Sequence, residues 1–144
     1  MSEHETSYAS FLTQVDYELK RAERYRIFIA VLILDISGAG IALEENGNEK
    51  VTELIGSLRR HVRATDQVSF LNADKLAFLF PETTRQGAEI ASHRITDLVK
   101  NKLSELENRR FEQVIPLEMA SYPDAAGAKG VAEFLREYSD KNIN

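Results

Sequence analysis

The sequence predicts one domain of the α/β (α+β) class, in which helices flank a central mixed β-sheet. Segments with a helical spacing of apolar residues alternate with short apolar runs, and the run at 27–34 is continuous and rich in β-branched residues. Such a run is typical of a strand that is buried on both faces. Two further apolar runs are separated by three residues, as in a β-hairpin. The 144 residues suffice for one hydrophobic core and leave no room for a second domain.

The predicted order of elements is helix, strand, helix, strand, strand, helix, strand, helix. Each helix carries one apolar stripe with spacings of three and four residues. The four stripes consist of Tyr8, Phe11, Leu12, Val15, Leu19 and Ala22; Val51, Leu54, Ile55, Leu58 and Val62; Ala88, Ala91, Ile95, Leu98 and Val99; and Val131, Phe134, Leu135 and Tyr138. Thr83 is followed three residues later by Gln86, a capping-box pattern that predicts the start of the third helix.

The strands are predicted from the apolar runs between these helices. The central strand ends at Asp35, a position where sheets covered by helices often bind ligands. The runs 67–71 and 75–80 form the hairpin. The last run, 114–120, contains Pro116, which cannot donate a backbone hydrogen bond and therefore indicates an edge strand or a bulge. Four phenylalanines are expected in the core of these strands: Phe28, Phe70, Phe78 and Phe80.

Composition and charge exclude several functions. The chain has 18 Lys and Arg against 23 Asp and Glu, and a formal net charge of -5 argues against binding to a nucleic-acid backbone. The longest apolar run is far shorter than the roughly 20 residues of a membrane-spanning helix. We therefore expect a cytoplasmic protein that binds neither nucleic acid nor membrane. The absence of cysteine excludes disulfides, thiolate zinc sites and a cysteine nucleophile. The three histidines are scattered, which disfavours a metal site: His4, His61 and His93.

Five segments carry short motifs in a consistent order and spacing. ELKRAERY at 18–25 precedes the first strand, Leu-Asp-Ile at 34–36 closes it, and LRRHVRATD at 58–66 ends in R-x-x-D. NADKL at 72–76 occupies the hairpin turn, and ASYPD at 120–124 follows the late strand. Together these segments resemble the GGDEF domain of bacterial diguanylate cyclases over almost the whole chain. The resemblance implies a nucleotidyl-cyclase-like fold, with an N-terminal helix at 1–25 leading into a degenerate GGDEF domain at 26–144.

The resemblance also implies that the domain is not an enzyme. Asn72 and Ala73 stand where the family has two glycines that let the nucleotide approach the backbone. Lys75 stands where the family has an acid that binds metal, and a cation cannot chelate Mg²⁺. Neither catalytic residues nor a cofactor are expected. Ala39 and Gly40 replace the family's F-K pair, and Leu43 and Thr52 replace its two guanine-reading residues. The family's C-terminal pattern with a phosphate-binding lysine is absent from 134–144.

Two acids remain at positions where the family holds Mg²⁺. Asp35 ends the central strand and Asp74 lies in the hairpin turn. Two carboxylates without the rest of a phosphoryl-transfer pocket could at most hold an ion weakly. The favoured interpretation is that Asp35 is a polar strand terminus and Asp74 a turn residue, because aspartate is favoured in turns. No metal is assigned, and weak ion binding by this pair stays open.

The R-x-x-D motif provides the candidate ligand-binding residues. In the family the corresponding arginine and aspartate bind cyclic di-GMP at a product-inhibition site, so the resemblance implies this role for Arg63 and Asp66. A guanidinium matches guanine O6 and N7 or a phosphate, and an aspartate accepts from the guanine amines. Arg94 lies near the position of a second family arginine. The structural alternative is a cation near the carboxyl end of a helix.

Three functions follow, in order of preference. The first is a catalytically inactive signalling domain that senses cyclic di-GMP through Arg63, Asp66 and Arg94, passes its state to a signalling or effector protein, and bridges two copies in a homodimer. The second is a protein-interaction or dimerisation module that binds no nucleotide and uses its sheet edge or first helix. The third is residual diguanylate cyclase activity. His61 and His93 are expected to be exposed or packing residues, because no triad or metal partner accompanies them.

Overall fold

The computed structural model describes residues 3–39, 47–72, 74–108 and 110–143. Within these ranges, four α-helices and four strands follow in the predicted order. They are α1 (Glu3–Tyr25), β1 (Ile29–Asp35), α2 (Gly47–Arg59), β2 (Gln67–Asn72), β3 (Lys75–Pro81), α3 (Arg85–Glu107), β4 (Leu117–Tyr122) and α4 (Val131–Ile143), with a short 3₁₀ turn at Ser37–Ala39. None of the helices in the described ranges is long and apolar enough to cross a membrane.

The four strands form one sheet in the order β2-β3-β1-β4. Every pairing between these named strands is antiparallel, so the α+β class is confirmed while the mixed sheet is a wrong detail. The reason is topological. The crossovers through α2 and α3 join strands that run in the same direction, but a third strand lies between the members of each pair. The result is a split β-α-β arrangement of the ferredoxin-like kind.

Helices cover both faces of the sheet, which explains the continuous apolar run of β1. On one face Ala30, Leu32 and Leu34 pack with residues of α2 and α3. On the other face Ile29 and the next alternate residues of β1 pack with α1 and α4. All four helical stripes contribute buried residues, and burial of each large apolar side chain stabilises the fold by about 1.5–3 kcal/mol.

Three local predictions differ from the structure. Phe28 is 48% exposed rather than in the core, because it precedes β1, in the connection that leaves α1 through Arg26 in a left-handed conformation (φ 58). The cap of α3 is Thr84, whose hydroxyl accepts from the Gly87 N–H at 3.0 Å, instead of Thr83. The last strand begins after Pro116, not at 114, and lies at the sheet edge as predicted. The carbonyl of Pro116 accepts from the Asp35 N–H at 2.9 Å.

Candidate functional site

The end of β1 and the start of β3 form the part of the fold where the resemblance would place catalysis. Asp35 stands opposite Lys75 in the antiparallel register, and Lys75 Nζ lies 3.4 Å from Asp35 Oδ2. The hydroxyl and the N–H of Ser37 donate to Asp35 Oδ1 at 2.6 and 2.9 Å. These Ser37 hydrogen bonds, assisted by the Lys75 charge and opposed by burial, lower the pKa of Asp35 below its usual value. The carboxylate is therefore ionised and neutralised within the chain.

This arrangement does not fit the magnesium ion that the fold implies. A divalent ion needs free oxygen ligands, but here an ammonium and two donors of Ser37 surround Asp35. Asp74 is half-buried in the turn, where its backbone carbonyl accepts from the Ile36 N–H at 2.8 Å. In the described ranges, no group of three or more metal-ligating side chains exists.

Some of the predicted departures from the family pattern fall on residues or side chains that the structure does not describe. Gly40, Leu43 and Ala73 lie outside the described residues, and the side chains of Ala39 and Asn72 are likewise not described. Thr52 is described and is exposed on α2. Among the described residues, the site at the end of β1 consists of Asp35 and the two residues that donate to its carboxylate, Ser37 and Lys75.

The R-x-x-D motif forms a closed turn after the end of α2. The Asp66 N–H donates to the Arg63 carbonyl at 3.0 Å, and the Arg63 N–H donates to Asp66 Oδ2 at 2.9 Å. Because the helix ends at Arg59, these residues lie in the connection to β2 rather than in the last turn of the helix. The hydrogen bond that the Asp66 side chain accepts from the Arg63 N–H stabilises this turn between α2 and β2.

The guanidinium of Arg63 is anchored by three residues on two segments of the chain. Its Nε and Nη2 donate to Asp66 Oδ1 at 3.2 and 2.9 Å. Nη2 also donates to the carbonyl of Pro81 at 2.7 Å and to the hydroxyl of Thr83. The Arg63 side chain is nevertheless 54% exposed, whereas that of Asp66 is only 5% exposed. Arg63 is thus held in place with one side open, while Asp66 is engaged with Arg63.

Arg94 joins Arg63 and Asp66 at one cavity. The three residues line a depression of about 420 Å³ between the β2–β3 end and α3, and Arg94 Nη2 lies 3.5 Å from the carbonyl of His61. A second depression, of about 410 Å³, adjoins the other side of the Arg63–Asp66 pair. The structure therefore brings the three predicted ligand-binding residues together. The ring nitrogen Nδ1 of His61 lies 2.8 Å from the Ser57 carbonyl, and both His61 and His93 are exposed, as predicted.

Sequence reasoning missed three further residues that line the same cavity. Glu82 follows β3 in a left-handed conformation (φ 49), Thr83 holds Arg63, and Ile90 is 72% exposed on α3. Ile90 could have been found, because it lies off the apolar stripe of α3 and so does not face the core. Glu82 and Thr83 carry no such local pattern, since their role depends on how the chain after β3 approaches the R-x-x-D turn.

The fold is that of GGDEF domains. The GGDEF domain of TpbB (YfiN) from Pseudomonas aeruginosa matches with a TM-score of 0.61 and 20% identity, covering 94% of this chain and 80% of that chain. The GGDEF domain of DgcB from Caulobacter crescentus, solved in complex with c-di-GMP, matches with a TM-score of 0.57 and 13% identity, covering 94% and 80%.

A third similar structure is the diguanylate cyclase SiaD from Pseudomonas aeruginosa, in complex with its activator SiaC. It matches with a TM-score of 0.61 and 14% identity, covering 94% of this chain and 53% of that chain. No protein-family model and no curated protein matches the sequence. At these identities the likeness establishes the fold alone.

Proposed function

We propose that this protein is a catalytically inactive GGDEF-like signalling domain that binds cyclic di-GMP. The observation that carries the proposal is the cavity shared by Arg63, Asp66 and Arg94, which belong to two different elements of the fold. Its volume of about 420 Å³ lies within the range of small-molecule sites, about 300–1,000 Å³. In the DgcB complex a domain of the same fold is seen with c-di-GMP.

The chemistry of the cavity suits a cyclic dinucleotide. Cyclic di-GMP offers two phosphates and two guanines, and a guanidinium recognises either a phosphate or the O6 and N7 atoms of guanine. Arg63 is held by Asp66, Pro81 and Thr83 before any ligand arrives, so less conformational entropy is lost on binding. Each bidentate guanine contact contributes roughly 1–3 kcal/mol, so micromolar affinity, about 8 kcal/mol, needs several contacts.

The surroundings of Asp35 support the absence of cyclase activity. Phosphoryl transfer requires metal ions that neutralise the charge developing on the phosphates. The Lys75 ammonium beside Asp35 leaves that carboxylate without a role as a magnesium ligand. Incubation with GTP and Mg²⁺ should therefore yield no cyclic di-GMP, and product formation that disappears in Asp35→Ala would contradict this part of the proposal.

Binding would be passed to a partner signalling or effector protein, or to a second copy in a homodimer. SiaD, which has the same fold, is seen in complex with a protein activator. We place the domain in the cytoplasm, where nucleotide second messengers are made.

A nucleotide-independent interaction module is the second candidate. The observation that favours it is the exposure of two apolar residues at the edge strand β4: Leu117, its first residue, is 49% exposed, and Val114, just before it, is 84% exposed. An exposed strand edge with apolar side chains is suited to pairing with another chain. This function predicts complex formation that survives loss of Arg63 and Asp66.

Calorimetric titration with cyclic di-GMP tests the first candidate. The intact protein should release binding heat, and Arg63→Ala should weaken binding by roughly tenfold or more, as expected for the loss of one bidentate contact. Arg110→Ala is the matched control, because Arg110 is 86% exposed and does not line the cavity. Absence of heat from the intact protein would refute nucleotide binding and leave the interaction module.

A further inference from the structure

The R-x-x-D aspartate has little spare acceptor capacity for a guanine. Its Oδ1 accepts from Arg63 Nε and Nη2, and its Oδ2 accepts from the Arg63 N–H and, at 3.4 Å, from Nε. An ionised carboxylate has about four acceptor positions, and three hydrogen atoms of Arg63 occupy most of them, with the single Nε–H shared between the two oxygens. Asp66 borders the cavity, but only 5% of its side chain is exposed and both of its oxygens hold Arg63, so it offers a ligand little acceptor surface.

Guanine recognition nevertheless needs an acceptor. A guanine presents O6 and N7 to a guanidinium, but its N1–H and N2–H₂ groups are donors, and leaving donors unpaired on binding is costly. A carboxylate beside an arginine satisfies both sets of groups. Adenine lacks this pattern, because its N1 is an acceptor that a carboxylate would repel.

Glu82 is a second carboxylate at the same cavity. It lines the depression together with Arg63 and Arg94, it is exposed, and no described side chain pairs with it. Its backbone adopts a left-handed conformation (φ 49), which few residues other than glycine adopt. The residue thus stands between β3 and α3, next to Thr83, which holds the Arg63 guanidinium.

From this geometry we infer that Glu82, rather than Asp66, is the acceptor that reads guanine in this protein. The inference rests on the proposed function and names the specificity-determining residue of its site. Arg63 and Arg94 supply donors for phosphate or for O6 and N7, and Glu82 accepts from N1–H and N2–H₂. Asp66 is a positioning residue that keeps the Arg63 guanidinium in the orientation the ligand requires.

The test compares cyclic di-GMP with cyclic di-AMP by calorimetry for the intact protein, for Glu82→Gln and for Glu82→Ala. The intact protein should prefer cyclic di-GMP by roughly tenfold or more, the discrimination expected of one guanine-reading pair. Both variants should lose most of this preference, while binding of cyclic di-AMP stays within about threefold, since repulsion from the adenine N1 acceptor offsets any hydrogen bond from its N6–H₂ donor to the carboxylate. Glu112→Gln is the control, because Glu112 is 70% exposed and does not line the cavity.

The outcomes separate the two proposals. If the intact protein binds cyclic di-GMP and both Glu82 variants keep its affinity and its preference, the role of Glu82 is refuted and the receptor function stands. If the intact protein binds neither dinucleotide, the receptor function fails and the inference fails with it. Circular dichroism melting of each variant identifies any loss of binding that comes from unfolding.

Discussion

The two ends of β3 differ in how their charges are arranged. At the start of β3, Lys75 lies against Asp35, and Ser37 occupies the other carboxylate oxygen. Beyond the end of β3, Arg63 is also paired with an aspartate, yet 54% of its side chain is exposed and it borders a cavity with Arg94. The first cluster closes on itself. The second keeps cationic groups and one carboxylate available to a ligand.

The two ion pairs therefore differ in how much each leaves exposed to solvent. The Lys75 ammonium neutralises the Asp35 carboxylate from within the chain, so this carboxylate attracts a metal cation only weakly. Asp66 instead fixes the Arg63 guanidinium while about half of that side chain stays exposed. The conformational entropy of the arginine is therefore lost when the protein folds and not when a ligand binds.

Asp66→Ala should have the largest effect. The substitution removes the acceptor for the Arg63 backbone N–H and for two nitrogens of its guanidinium. We expect the free energy of unfolding to fall by about 1–2 kcal/mol, because a hydrogen-bonded carboxylate is lost while its partner is half exposed. Affinity for cyclic di-GMP should fall by about tenfold, since Arg63 loses its fixed orientation.

Urea unfolding and calorimetry measure both effects of Asp66→Ala. Glu112→Ala, which removes an exposed carboxylate from the Arg110 pair, should change the free energy of unfolding by no more than about 0.5 kcal/mol. If Asp66→Ala weakens binding without loss of stability, its carboxylate contacts the ligand directly, and the distinction between Asp66 and Glu82 is wrong.

Lys75→Glu should open the closed cluster at the start of β3. The introduced carboxylate would stand opposite Asp35 in the register and beside Asp74, so that an ion could replace the lost ammonium. We expect millimolar Mn²⁺ to raise the melting temperature of this variant and to leave that of the intact protein unchanged. Lys75→Met, which removes the ammonium without adding a ligand, is the control and should show no shift. A rise in the intact protein would mean that Lys75 does not exclude the ion.

Ile90→Ser tests the apolar wall of the open cavity. Ile90 is 72% exposed, so its replacement should alter stability by no more than about 0.5 kcal/mol. Affinity for cyclic di-GMP should fall by about three- to fivefold, because a purine ring packed there would lose apolar contact. Val114→Ser, at an exposed apolar residue outside the cavity, should leave the affinity unchanged. Equal losses in both variants would assign the effect to the surface in general.

Local periodicity explains how much of the fold could be predicted. The stripes of α1 and α3 and the continuous run of β1 place their residues in the core because helices and strands repeat at 3.6 and 2 residues. The antiparallel pairing depends on which strands become neighbours, which no local pattern contains. The apolar neighbours of Phe28 in the sequence predict a core position for it, but this residue precedes the first residue of the strand and is exposed.

In the candidate site, too, the contacts that are local in the sequence could be predicted, and those between distant residues could not. The R-x-x-D motif can be found in the sequence because both of its residues lie within one turn. Arg94 is predicted as a third site residue because it lies near the position of a second arginine in the family that the sequence resembles. The contacts of Arg63 with Pro81 and Thr83 span 18 and 20 residues, so sequence spacing could not reveal them. Glu82 depends on the same approach of the two segments, and it was missed for the same reason.

The smallest predicted effect concerns acid titration of the closed cluster. Asp35 has a lowered pKa, and the Ser37 side-chain and backbone hydrogen bonds lower it more than the Lys75 charge does. A carboxyl whose pKa is lower in the folded state stabilises that state above its unfolded value of about 3.9, and this contribution is lost as the pH falls through the folded value. Ser37→Ala should therefore raise the pKa of Asp35 more than Lys75→Met does, as NMR titration of the Asp35 carboxyl would measure. If Lys75→Met produces the larger rise, the ion pair with Lys75, and not the hydrogen bonds from Ser37, is the main reason why the carboxylate stays charged.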